Sequence, residues 1–185
     1  MKAIFGGNFN PVHTGHLILA ADALRLLSLD KVLFIPAWKS PFKENVPVIP
    51  FEDRYNMLEL AASNKKYLKV LDIEGKRKGI SYTYQTLKEL LKKEKNLCVL
   101  IGEDQAKDFK EWYKWEEILK MANVFVFKRS KKKHKYPEGL KILNSRIIEI
   151  SSTEIRNKIK NGQPVDFLVP DPVRDYIRKH KLYIN

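Results

Sequence analysis

The segment Gly6-Gly7-Asn8-Phe9-Asn10-Pro11-Val12-His13-Thr14-Gly15-His16 joins a short apolar run, Lys2–Phe5, to an amphipathic pattern that opens at Thr14. Strand, glycine turn, helix is the first unit of an open α/β sheet. Ligands of such sheets sit outside the carboxyl ends of the strands. The glycines let backbone N–H groups approach an anion closely. The helix start adds unpaired N–H groups and partial positive charge. His13 and His16, three residues apart, share one face of the first turn. The segment therefore predicts a pocket for a phosphate chain with two imidazoles aimed at it, and Thr14 as a candidate N-cap. No metal site is expected at this pair: His134 and His180 are remote in sequence and no thiol is near.

Outward from this segment, apolar runs alternate with helical patterns. That alternation predicts a Rossmann-like, doubly wound α/β fold, with a mostly parallel sheet and helices on both faces. Strands are expected at Lys2–Phe5, Lys31–Pro36, Leu68–Ile73, Leu97–Ile101, Val124–Phe127 and Arg146–Ile150. Helices are expected at about Thr14–Leu29, Phe51–Asn64, Thr83–Lys93, Gln105–Met121, Ser152–Lys160 and Pro172–Lys181. Lys76-Arg77-Lys78-Gly79 reads as a basic loop. No linker or internal repeat interrupts the 185 residues, which are expected to form one domain, 1–185, with a helical tail at about 171–181.

Composition narrows the function. The chain has 35 Lys and Arg against 22 Asp and Glu, a net charge of +13 that favours an anionic partner. Residues 128–141 carry seven basic side chains and one acid, so about half of the excess lies in one run. That run reads as a solvated surface loop. A nucleic-acid patch would want more stacking partners than His134 and Tyr136, and no RNA-binding motif is present. Cys98 is the single cysteine, which excludes a disulfide framework. With no signal-peptide pattern and no long apolar span, a cytoplasmic location is expected and a membrane partner is not.

The opening motif resembles the H-x-G-H signature of the nucleotidyltransferase superfamily. Its Gly-Gly-x-Phe-x-Pro form is similar to that of the nicotinate-nucleotide adenylyltransferases, which carry threonine and aspartate in place of Asn8 and Asn10. A second match, Ile150-Ser151-Ser152-Thr153-Glu154-Ile155-Arg156, also reads as a capping box formed by Ser151 and Glu154. The two readings are compatible. Arg77-x-Gly79-x-Ser81-Tyr82-Thr83 resembles the family's segment at the nicotinate side, with Gln85 replacing a usual aspartate. Gly102-Glu103-Asp104, Phe109 and Trp112 match the family's ribose and pyridine region, and Trp115 reads as core. Pro41-Phe42-Lys43 is similar to a P-H-K stretch, and Arg129 stands where a basic residue is common.

The resemblance implies transfer of an adenylyl group from ATP to nicotinate mononucleotide, giving deamido-NAD and pyrophosphate. It implies catalytic roles for His13 and His16, and contact with ATP phosphates by Gly6, Gly7, Phe9, Gly15, Lys43, Ser152, Thr153 and Arg156. Gly102 and Asp104 would bind ribose. Ser81, Tyr82, Thr83 and Trp112 would hold the nicotinate nucleotide, the loop and the tryptophan backbone offering N–H groups to its carboxylate. Mg2+ would arrive with ATP, bound mainly by phosphates and water. Two other substrates stay open, nicotinamide mononucleotide and phosphopantetheine. A basic RNA-binding protein is the alternative from another class.

Overall fold

The computed structural model describes residues 1–42, 48–130 and 134–184. In chain order the elements are β1 (Lys2–Gly7), α1 (Thr14–Leu26), β2 (Lys31–Pro36), α2 (Phe51–Ala62), β3 (Leu68–Val70), α3 (Ile73–Arg77) and α4 (Thr83–Leu90). Then follow β4 (Leu97–Gly102), α5 (Glu103–Lys107), a 3-10 turn (Phe109–Glu111), α6 (Trp115–Met121), β5 (Asn123–Phe127), β6 (Leu140–Leu143), α7 (Ser152–Lys160) and α8 (Asp171–Lys179). The six strands run β3-β2-β1-β4-β5-β6. Every pair is parallel. The chain winds outward from β1 to β3, then returns to place β4 on the other side of β1. The order reverses between β1 and β4, which is where a doubly wound sheet opens a crevice.

Alternation along β1 divides the core between the two faces. Ala3 and Phe5 pack with Ala20, Met57, Leu58 and Ile177, whereas Ile4 faces Leu87, Phe109 and Ile118. The registers Gly7↔Pro36 and Phe5↔Leu100 bring the ends of β1, β2 and β4 to one edge of the sheet. The Gly6–His16 turn leaves from the end of β1 and Gly102–Asp104 from the end of β4, at that edge. Among the described residues no helix is long and apolar enough to cross a membrane.

Several expected boundaries move. α1 stops at Leu26 because Ser28 turns left-handed at φ 49° and the Leu29 N–H bonds to Leu24 O at 3.0 Å, a Schellman-type ending. Thr14 is the first helical residue and His13 the N-cap; Thr14 Oγ instead donates to Phe167 O at 2.9 Å. β3 ends at Val70. Lys76 and Arg77, expected in a loop, sit in α3, and the turn falls on Lys78 and Gly79 at φ 57° and 73°.

The largest correction is the last strand. Arg146–Ile150 forms no strand, and the sheet ends instead with Leu140–Leu143, the tail of the basic run. As an edge strand β6 tolerates Lys141 and an exposed Ile142. The 146–150 segment is held by its side chains: Arg146 donates to the buried Asp22 carboxylate at 2.7 Å, and Ile148 packs over Gly15.

Candidate functional site

The histidine turn is built from inside the core outward. Phe9, at φ 47°, puts its ring beneath His16 at 5.0 Å, edge-on to Phe34 at 5.5 Å. Its side chain is core, so only its backbone can border a ligand. The His13 and His16 rings stack at 3.7 Å with 27° between their planes. The His13 N–H donates to His16 Nδ1 at 3.2 Å, which leaves the neutral ring's proton on Nε2. A Cβ on Gly15 would lie 2.9 Å from His13 Nδ1 and 2.8 Å from Ile148, so glycine gives this imidazole its room. Burial first, and the Arg129 guanidinium second, hold His13 down at about 3. His16 is held well below its ordinary value by burial, then by His13 and Arg129. Both rings are therefore neutral at pH 7. His13 Nδ1 is buried without a hydrogen-bond partner. The pair can donate to or polarise an anion, and it is poorly suited to cycling a proton near neutrality.

The α7 start closes on the same turn. Ser151 caps the helix by accepting from the Glu154 N–H at 3.1 Å, as the capping box predicts. Ser152 Oγ donates to Pro11 O at 2.8 Å, Arg156 donates to Asn10 O at 2.8 Å, and its other amine reaches Thr153 Oγ at 3.1 Å. Ser152 and Arg156 thus spend part of their hydrogen-bonding capacity on knitting the α7 start to the histidine turn. Tyr183, from beyond α8, donates to the buried Asn10 side chain at 2.9 Å.

Arg54 went unnoticed in the sequence. It is 2% exposed, and its guanidinium donates to Asn8 O at 2.9 Å, Ala37 O at 2.6 Å, Ile49 O at 3.1 Å and, more weakly, Trp38 O at 3.4 Å. A planar donor fork suits this divergent set of carbonyls. Arg54 thus fastens the loop after β1 to the loop after β2. Its signal was position: on α2 it lies three and four residues before the fully buried Met57 and Leu58, on the inward face.

Between those loops and α4 lies a cleft whose lining includes Gly6, Gly7, Ser81, Tyr82, Thr83 and Trp112. Gly7 and Trp112 are thus brought to one cavity from different elements. Two backbone expectations fail. The Ser81 N–H is taken by Lys39 O at 2.8 Å, and the Trp112 N–H by Phe109 O at 3.1 Å, because the 3-10 turn closes there. Thr83, first in α4, has no acceptor one turn back within the helix. Tyr113 also lines the cleft, its ring tilted 39° against Tyr82 at 4.8 Å, a contact that no motif marks. Trp115 packs edge-on against the buried Phe109 at 6.4 Å, as expected of a core residue.

At the end of β4, Gly102 bonds to Gln105, and Gln105 rather than Asp104 borders the cleft. Asp104 is exposed and pairs with Arg129 at 2.9 Å. Glu103 is buried. Burial would raise its carboxyl, but Tyr136 at 2.6 Å and the Arg129 N–H at 2.8 Å outweigh that and lower it. This acid anchors the start of the basic run and so points Arg129 towards the histidines. Lys43 and Lys131–Lys133 lie outside the described residues. Among the described residues no group of three or more His, Cys, Asp or Glu could hold a metal ion.

The cytidylyltransferase-like family model matches residues 4–158, from β1 through most of α7. The chain belongs to this family. A 39% identical relative from Hydrogenobaculum sp. (strain Y04AAS1), aligned over 98% of this chain and 97% of its own, bears the name "Probable nicotinate-nucleotide adenylyltransferase". One from Staphylococcus haemolyticus with the same name is 36% identical over 98% and 96%. These relatives place the chain in the nicotinate-nucleotide adenylyltransferase branch of the cytidylyltransferase-like family. The fold agrees. The Plasmodium falciparum nicotinic acid mononucleotide adenylyltransferase, solved in complex with NaAD, superposes with a TM-score of 0.77 at 21% identity, covering 98% of this chain and 96% of that one. In this family member Gly6, Gly7 and the Ser81–Thr83 loop line one cleft, and the α7 start is bonded to the turn that follows those glycines.

Proposed function

We propose that the chain transfers the adenylyl group of ATP to nicotinate mononucleotide, releasing pyrophosphate and forming deamido-NAD for NAD biosynthesis. The observation that carries this reading is the stacked, neutral His13–His16 pair at the α1 start, in the turn that continues from Gly6, Gly7 and Asn8, which line one cleft together with the Ser81–Thr83 loop and Trp112. The attacking 5′-phosphate is already an anion and needs no general base. Catalysis then rests on positioning and on stabilising charge at the α-phosphorus. His16 Nε2–H would donate to an α-phosphate oxygen as charge builds. His13, its Nδ1 unpartnered, would hold the phosphate chain, with the Gly6-Gly7 backbone, Arg129 and Arg156 adding positive potential. Lys43, Ser152 and Thr153 are assigned to the pyrophosphate side, Gly102 and Asp104 to ribose. Magnesium would travel with ATP on its phosphate oxygens. One domain spanning 1–185 would carry the reaction.

The nicotinate carboxylate would meet N–H groups at the α4 start, with Trp112 or Tyr113 against the pyridine ring. A carboxylate only accepts hydrogen bonds, whereas an amide also presents two donors. Converging N–H groups therefore favour the acid, and polar mismatches of this kind can exceed ~10⁴-fold. The test is pyrophosphate release with ATP and a panel of nicotinate mononucleotide, nicotinamide mononucleotide and phosphopantetheine. Preference for the first is expected. Equal use of the first two would reject the nicotinate assignment, and turnover with phosphopantetheine alone would move the chain to another substrate class.

A further inference from the structure

Beneath the Ser81–Thr83 loop lies a buried acid that the proposed reaction does not use. Glu74, on α3, is 7% exposed and borders the cleft. Its Oε1 accepts the Thr86 hydroxyl at 2.6 Å, and the nearby Ser81 side chain favours the same carboxylate. Each of these hydroxyls has a lone pair engaged elsewhere. Thr86 Oγ accepts from Arg77 at 2.9 Å, and Ser81 Oγ accepts from the Trp38 N–H at 2.9 Å. The Thr86 proton is thereby committed to Glu74, with Ser81 standing beside the pair. Ser81 precedes the N-cap of α4 and Thr86 lies one turn inside, so the carboxylate holds the first turn of the helix at Thr86. The Ser81 N–H, bonded to Lys39 O, ties the same point to the loop after β2.

We propose that Glu74 is a positioning residue for the mononucleotide: by accepting the Thr86 hydroxyl, itself held by Arg77, it fixes the α4 start, and with it the direction of the Thr83 and Tyr84 N–H groups that would face the pyridine carboxylate. This rests on the nicotinate reading above. The geometry asks for a carboxylate and not merely a polar group. An amide carries no charge and presents a donor nitrogen, so glutamine would lose the attraction to Arg77, 3.8 Å away, and weaken the bond from Thr86. The Arg77–Thr86–Glu74 chain that fixes the first turn would then slacken. A hydrogen bond to a charged acceptor is among the stronger kinds, so the effect should be readable in substrate affinity.

The test is steady-state kinetics of wild type and Glu74→Gln with ATP and each pyridine mononucleotide, together with Tm. The expected result is a rise of about tenfold in KM for nicotinate mononucleotide. KM for ATP should change less than about twofold, and the ratio of kcat/KM for acid over amide should fall, as expected when oriented donors are lost. A purely structural role would lower Tm while leaving that ratio and the KM split unmoved, and that pattern overturns the proposal. So does a lower KM for the acid in Glu74→Gln, which would mean that Glu74 merely repels the incoming carboxylate. If Glu74→Gln fails to fold, Thr86→Val and Thr86→Ser carry the same contrast: serine should restore the acid preference that valine loses, and equal behaviour of the two overturns the proposal. A wild type that makes no dinucleotide from nicotinate mononucleotide rejects the functional reading and this inference with it. A wild type that does, beside an unchanged Glu74→Gln, rejects this inference alone.

Discussion

His16 is asked to stabilise charge and His13 to place it, and their burial sets different tests. His16→Ala should keep the fold and lose about 10²–10³ in kcat, the usual loss for one transition-state donor. Near-normal single-turnover rates in a folded variant would remove His16 from the chemistry. His13 affects stability through the proton it refuses. Its folded value lies at about 3, against 6.5 in the unfolded chain. Between those values the unfolded state binds the extra proton, so this contribution to stability is complete above pH 6.5 and shrinks as pH falls towards 3. Tm measured against pH should fall less steeply from 6.5 to 4 in His13→Asn than in wild type. Parallel curves would contradict the burial argument. The histidines were legible in the sequence because their spacing repeats a motif. Arg54, Glu74 and Tyr183 were not, because a charged or phenolic residue within a polar surface pattern carries no mark of the carbonyl or hydroxyl it will meet.

Elements whose local pattern and tertiary surroundings agree were read almost to the residue: β2 at Lys31–Pro36 and α7 at Ser152–Lys160 coincide with expectation. The sixth strand was misplaced because Arg146-Ile147-Ile148-Glu149-Ile150 has strand composition, while the true edge strand is hidden at the end of a charge run. What fixes 146–150 is Asp22, a buried acid of α1 whose carboxyl is lowered chiefly by its hydrogen bond to Arg146. That stabilisation is present above the ordinary carboxylate value and is lost as pH falls through the lowered one. Arg146→Ala should therefore lower Tm most near neutrality, with the gap to wild type closing below about pH 4. A gap that persists at low pH would show that Arg146 acts through packing alone. The same segment carries Ile148 onto Gly15. Gly15→Ala should push His13 off its partner and cut kcat at least about tenfold while the helix, which favours alanine, stays formed. Unimpaired turnover would mean the imidazole has room to yield.

Across the whole molecule, one sheet edge gathers segments separated by most of the chain, under a net charge of +13. Both proposed substrates are anions, so kcat/KM should fall as ionic strength rises while kcat changes little, since long-range attraction is screened beyond a Debye length. A salt-independent kcat/KM would show that the excess charge does not steer them. The parallel sheet was legible from the alternation of short apolar runs with helical patterns. The distribution of work around the cleft was not, since Arg54 and Glu74 act on backbone and hydroxyls far from them in sequence. One arrangement bears on the order of assembly. The turn bearing Asn10 and His13 is held by Arg54, Ser152, Arg156, Leu168 and Tyr183, all distant from it in sequence. On refolding from denaturant, that turn should therefore become rigid only after the segments on both sides of α8 have docked, and competence for the reaction should return late and abruptly, after most of the sheet has formed.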